Sequence, residues 1–133
     1  MANKSKKIQS EISAGDLLDK ISILEIKLEK IKDKNKWEEI NKEYKMLKST
    51  QNSSMEITDK VQKLFQQIKE VNTTLWDIED KLRICEKNND FGKNFIELAR
   101  GVYLNNDKRS KIKLEINIML NSNIKEIKQY VNY

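Results

Sequence analysis

Apolar residues recur along this chain at steps of three and four, the spacing that returns side chains to one face of an α-helix. The longest run is Ile57, Val61, Leu64, Ile68, Val71, Leu75, Ile78, Leu82 and Cys85, alternating steps of four and three without interruption. That heptad seam predicts a helix over residues 55–88, about 50 Å long at a helical rise of about 1.5 Å per residue. An earlier arm starts at Ser13, whose hydroxyl can cap free backbone N–H groups, with Asp16 three residues on. Leu17, Ile21, Leu24, Leu28 and Ile31 carry its seam, followed by Trp37, Ile40, Tyr44 and Leu47. The two runs are out of phase across Lys32–Lys36, which predicts a break, kink or stutter near 32–36.

Lys48–Ser54 is polar and reads as the loop joining the arms. A short loop makes its neighbours antiparallel. The expected pairs run from Leu47 with Ile57 and Tyr44 with Val61 to Leu24 with Leu82 and Ile21 with Cys85. Val71 is left opposite Lys34 or Asn35, a weakly packed layer. Asn88–Asp90 then ends the second arm. Phe91, Phe95, Leu98 and Val102 predict a short helix, Asn105–Asp107 a break, and Ile112, Ile116, Met119 and Leu120 another helix, continued through Ile124, Ile127 and Val131. One flank of the hairpin carries Leu18, Phe65 and Trp76, which the helices after residue 90 are expected to cover. The reading is all-α: a long antiparallel two-helix hairpin, coiled-coil-like, its first arm broken near 32–36, covered on one flank by shorter C-terminal helices. Residues 1–11 read as a flexible tail, and 12–133 as a single helical domain, with arms at 12–50 and 55–88 and covering helices over 91–133.

Composition sharpens this picture. Mean hydropathy is −0.77 and 35% of residues are charged. With periodic apolar positions, that fits an elongated helical body with a narrow core rather than a disordered chain. The absence of Pro and the presence of only three Gly argue against a turn-rich β protein. The net charge of +5 invites a nucleic-acid reading. However, only Arg83, Arg100 and Arg109 are arginines, and the lysines are interleaved with acids, so nucleic-acid binding ranks third. The chain has no His, which removes His-based triads, His metal ligands and the histidine pH switch. Cys85 is alone, so no intramolecular disulfide can form. The basic start (Lys4, Lys6, Lys7) has no apolar run behind it, and no stretch approaches the roughly 18 apolar residues of a membrane span. The expected compartment is the cytoplasm, and no cofactor or metal is expected.

Two polar groupings are candidates for chemistry. On the hairpin flank, Glu25 and Glu79 fall at matching heights with Arg83 beside them, and Glu97 is expected nearby. Paired carboxylates need a cation or a proton between them, so this cluster could be an acid/base pair or a structural ion-pair network. The second grouping is Arg83, Arg100, Asn106, Arg109 and Lys113. In a lysine-rich chain, arginines mark places that need a planar fork, and with a helix start near Asp107 they could hold a phosphate or carboxylate. The competing reading pairs Arg109 with an acid on the hairpin and Glu97 with Arg100 along one helix. No residue is assigned as catalytic. Trp37, Tyr44, Trp76 and Tyr103 read as core or edge aromatics, and Cys85 as a buried apolar residue.

Three stretches, SAGDLLDKISILEIKLEKI (Ser13–Ile31), LWDIED (Leu75–Asp80) and FIELARGVYLNNDKRSKIKLEIN (Phe95–Asn117), are collinear over nearly the whole chain. Together they resemble a family of short bacterial proteins known as a domain of unknown function. The resemblance implies a stand-alone helical protein and supplies no catalytic residues. The leading functional expectation is an interaction or scaffold module that presents an amphipathic groove, or the layer near Val71, to a protein partner or a second copy. The alternative is a binder of small anionic metabolites, or an enzyme acting on them, through the Arg/Lys cluster. Its chemistry would be electrostatic preorganisation, as in helical chorismate mutases.

Overall fold

The computed structural model describes residues 6–133, and four helices make up the regular structure there: α1 (Ala14–Lys30), α2 (Lys34–Ser54), α3 (Asp59–Lys87) and α4 (Lys93–Met119). Residues 1–5 of the expected tail lie outside the described residues, and 6–13 have no regular structure. Side-chain oxygens cap three helix starts. Ser13 accepts from the Asp16 N–H, Asp33 from Lys36 and Thr58 from Val61. The ends of α3 and α4 share one device. Asn89 and Asn121 stand at φ of 52° and 51°, and the next N–H groups reach back from Asp90 to the Cys85 carbonyl and from Ser122 to the Asn117 carbonyl. These are Schellman endings with asparagine in the left-handed position, the usual substitute where glycine is scarce.

α1 is the central helix, packing against each of the other three. Its buried residues include Leu17, Leu18, Asp19, Ile21 and Ser22, which cover more than half of its circumference and leave the side of Lys20 to solvent. α2 folds back along α1. The Trp37 indole donates to the Leu28 carbonyl at 3.1 Å, the Tyr44 hydroxyl to Glu25 at 3.2 Å, and Lys20 meets Glu43 at 3.5 Å. α3 runs in the same direction as α1. Leu17, Leu18 and Ile21 share a core with Val61, Leu64 and Phe65, and Lys30 meets Asp77 at the far end. α4 returns antiparallel, with Gly15 against Lys113 and Asn117 and Gly101 against Ile78. The order is up, down, up, down.

The all-α class and the α3 seam match the expectation: Val61, Leu64, Ile68, Leu75 and Cys85 are buried. The hairpin is built differently. The break near 32–36 is a full reversal at Ile31–Asp33, so the first arm is two antiparallel helices instead of one broken rod. Asp33 caps the new helix and Trp37 hooks it onto α1, which together stabilise the reversal. Ile21 therefore packs with Val61 and Leu64, not with Cys85. Lys48–Ser54 is the end of α2, where the Thr50 and Ser53 hydroxyls bond back to the Met46 and Thr50 carbonyls, and the connection is Met55–Thr58. α2 then covers Leu18 and Phe65, a role expected of the later helices: Lys48 and Gln51 line one small cavity with them. Val71 is half-buried, and its neighbour Asn72 is the buried residue at that level. Asn105–Asp107 does not break α4, because Asn105 turns its amide onto the Gly101 carbonyl one turn back. The chain leaves helix at Met119 and runs on to Tyr133 without regular structure.

Gly15 is where α1 and α4 come closest. A β-carbon there would lie 2.5 Å from the Lys113 carbonyl oxygen and 2.9 Å from Asn117 Oδ1. Gly15→Ala should cost about 2 kcal/mol, within the range for overpacking. Gly92→Ala, whose β-carbon meets only Asp90 Oδ1 at 3.5 Å, should cost far less. Urea denaturation of the two variants checks the contrast.

Candidate functional site

The docked start of α1 organises one end of the molecule. Its free N–H groups are all taken. Ala14 donates to Ser122 Oγ at 3.1 Å, Gly15 to Asn117 Oδ1 at 2.6 Å and Asp16 to Ser13 Oγ at 3.1 Å. Beside it the buried Lys113 ammonium reaches Asp16 at 2.8 Å and Glu126 at 2.7 Å. Burial pulls the Lys113 pKa down, but its hydrogen bonds to Asp16 and Glu126 outweigh this and hold it above the ordinary lysine value. Glu126, bonded by Lys113 and then Lys128, is lowered to about 2.

One turn further along α1 lies a second polar group. Arg109 makes a two-pronged pair with Asp19, Nε to Oδ1 at 2.9 Å and Nη2 to Oδ2 at 2.5 Å. Asn72 of α3 donates to Asp19 Oδ1 and to Ser22 Oγ, each at 2.8 Å, and Ser22 donates to the Asp19 carbonyl at 2.7 Å. The Asp19 hydrogen bonds raise the Arg109 pKa against the opposing effect of burial. Helices α1, α3 and α4 are thus tied through one carboxylate.

A cavity of about 490 Å³ opens beside this network, between the same three helices. Arg83, Asn106 and Arg109 from the expected anion site line it, with Glu79 and Trp76. The remaining residues of that site stand elsewhere. Lys113 belongs to the docked start of α1, and Arg100 is exposed on α4, where its hydrogen bond to Tyr103 raises its pKa. The expected Glu25–Glu79–Arg83–Glu97 cluster is not assembled. Glu79 and Arg83 pair at 2.7 Å on the surface, while Glu25 faces Tyr44 and Lys69, the latter at 3.1 Å. Lys69 also meets Glu29 at 2.9 Å, and that hydrogen bond leads the causes raising its pKa. Glu97 is exposed on α4. These separations follow from the reversal at Ile31–Asp33, which places α2 beside Glu25 and changes the register of α1 on α3. Asp19, Ser22 and Asn72 were not singled out from the sequence. A signal was available: polar residues among the closely spaced apolar residues of α1, and an asparagine adjoining the α3 seam.

The side of α4 turned away from Arg109 and Ile116 carries Ile96, Tyr103, Leu114 and Ile118, which are 54%, 44%, 41% and 63% exposed. The C-terminal segment crosses it. Tyr133 stacks edge-on with Tyr103 at 5.6 Å and donates its hydroxyl to Asp107. Among the described residues no group of His, Cys, Asp and Glu converges as metal ligands, and no helix is long and apolar enough to cross a membrane.

A family model described as a family of unknown function, DUF6165, matches residues 8–133. No curated protein and no solved structure matches the chain.

Removing the Asp19 carboxylate strands a partly buried guanidinium. Asp19→Ala should cost about 3 kcal/mol, and Asp19→Leu combined with Arg109→Met should recover part of that. Urea denaturation of the single and double variants measures both. The C-terminal segment should respond to acid. Glu126 is lowered from 4.5 to about 2, so its pairing with Lys113 contributes fully above pH 4.5 and is lost as pH falls from there towards 2. Amide exchange over residues 122–133 should rise within that window, and Glu126→Gln should remove the pH step.

Proposed function

The chain belongs to this family of unknown function, and we propose that it works as a helical interaction module, presenting the outer face of α4 to a second protein chain. The observation that carries the reading is the placement of Ile96, Tyr103, Leu114 and Ile118. At about 100° per residue they fall within an arc of about 60°, in a stripe about 33 Å long. The inward face of the same helix already packs on the body through Val102, Ile112 and Ile116. A helix apolar on two faces is suited to a place between two layers. Arg100 and Asp107 fall within the same arc, so the stripe is two exposed apolar patches, one at Ile96 and Tyr103 and one at Leu114 and Ile118. Arg100, Lys111, Glu97 and Glu115 all fall along one edge of the stripe and give that edge charges of both signs. The five residues of the expected anion site do not stand together: Arg83, Asn106 and Arg109 line one cavity, while Arg100 and Lys113 lie apart from it.

A second copy of the chain is the partner to test first. Sedimentation velocity over a wide concentration range should show association of the wild type. Combining Leu114→Glu with Ile118→Glu should abolish it while leaving the helical circular-dichroism signal and Tm unchanged. A protein monomeric throughout, with no crosslinked product from a photoreactive residue placed at 114 in a cell extract, would sink the proposal.

A further inference from the structure

The cavity between α1, α3 and α4 is independent of the α4 outer face and is formed from side chains already fixed by the fold. Its position follows from the way the helices meet. Gly15 lets α1 and α4 close tightly at one end. Further along, the long Arg109 side chain bridges the two helices through Asp19. Beyond Arg109, Ile26 and Lys27 of α1 and Asn106 of α4 line an opening, with Leu75 and Trp76 of α3. The volume of about 490 Å³ lies in the range of small-molecule sites, roughly 300–1,000 Å³.

Its lining is divided. The α1 and α3 walls offer the Trp76 indole and aliphatic side chains, with the charged groups of Lys27, Glu79, Asp80 and Arg83 among them, and the α4 wall offers the hydrogen-bond donors of Asn106 and Arg109. Arg109 spends Nε and Nη2 on Asp19. Among the described residues its Nη1 and the Asn106 side-chain amide have no hydrogen-bond partner, and both residues are half-buried and line the cavity. They stand one helical turn apart on α4, close enough to serve one group. Arg83 is held at the cavity by Glu79, through its side chain at 2.7 Å and its carbonyl at 3.0 Å. Lys27 makes no salt bridge among the described residues and adds a further cation, and Asp80, also on the lining and without a salt bridge there, balances it. Each arginine already has an acid beside it, so the site lacks the excess positive charge that a phosphate would call for. What it offers is a set of charge-assisted donors facing an apolar wall.

We infer that this cavity binds a small aromatic carboxylate, its ring against Trp76 and Leu75 and its carboxylate on Asn106 and Arg109. An oxygen pair accepting from Asn106 Nδ2 and Arg109 Nη1 satisfies both unspent donors at once. Asp19 holds the guanidinium in place beforehand, so little side-chain entropy is lost on binding.

The test is a titration of the ¹⁵N-labelled full chain with phenylacetate, with phenylacetamide, benzylamine and acetate as controls. The two tryptophans make the readout local. The Trp76 indole lines the cavity, whereas the Trp37 indole is engaged with the Leu28 carbonyl at the α1–α2 reversal. Phenylacetate should shift the Trp76 indole and Asn106 side-chain signals while leaving Trp37 in place. The three controls should bind at least tenfold more weakly. Asn106→Asp sets a second carboxylate where the ligand's would sit, and it should weaken phenylacetate at least tenfold with Tm unchanged. Arg83→Gln, a substitution at an exposed position, gives a second variant and should weaken it several-fold. No shift at millimolar phenylacetate, shifts confined to other residues, equal binding of any control, or unaltered binding in both variants would overturn the assignment.

Discussion

A carboxylate sits almost without solvent in the middle of α1, and the arrangement of three helices follows from that. Asp19 is 4% exposed. An isolated ionised carboxylate in such a place would be strongly destabilising, so it must have a cation and further hydrogen-bond donors. Arg109 supplies the first from α4 and Asn72 the second from α3. Each of these is a directional bond, unlike the apolar contacts around them. Leucine and isoleucine side chains can slide past one another by a turn at modest cost, whereas the Asp19 pairings hold only in one register. The group thereby selects how α3 and α4 dock on α1, beyond whatever net stability it adds.

That register has consequences at both ends of α1. At its start, Gly15 approaches the α4 backbone and the free N–H groups are closed by Asn117 and Ser122, which leaves no anion site there. Lys113 is drawn between Asp16 and Glu126, so the C-terminal segment is held by the same contact that docks the helix. At the other end the helices part. The α3–α4 pair continues beyond Lys30, and the cavity opens beside the last turns of α1. The molecule therefore has a tightly bonded polar end, a cavity beside it and an apolar outer stripe on α4. The latter two are the surfaces on which function is proposed.

The parts of the fold legible in the sequence were those governed by local rules. The α3 seam from Val61 to Cys85 was legible because a heptad repeat reports burial directly. Ser13 was legible as a cap, and Asn88–Asp90 as a helix end, because capping and left-handed asparagine act within a few residues. Local rules also misled. Lys48–Ser54 and Asn105–Asp107 are polar and rich in Asn, Ser and Thr, yet both are helical, because their side chains bond back to the preceding turn and tertiary packing outweighs weak propensity. Of the site residues, Arg83, Asn106 and Arg109 line one cavity, whereas Arg100 and Lys113 do not. Glu25 and Glu79 were matched by assuming one continuous arm, and the reversal at Asp33 removed the basis for that match.

By itself, then, the sequence determined that this is a helical protein with a long apolar seam on α3, a capped helix starting at Ser13, no histidine and no intramolecular disulfide. Periodicity, capping and composition are properties of neighbouring residues and need no partner across the fold. Only the tertiary structure decided that Lys32–Lys36 is a reversal, that α1 runs parallel to α3, and that Asp19 meets Arg109 across 90 residues of chain. A helical seam states which residues are buried without stating against what. The choice among partners rests on buried polar groups, whose bonds form only once three helices are already in place.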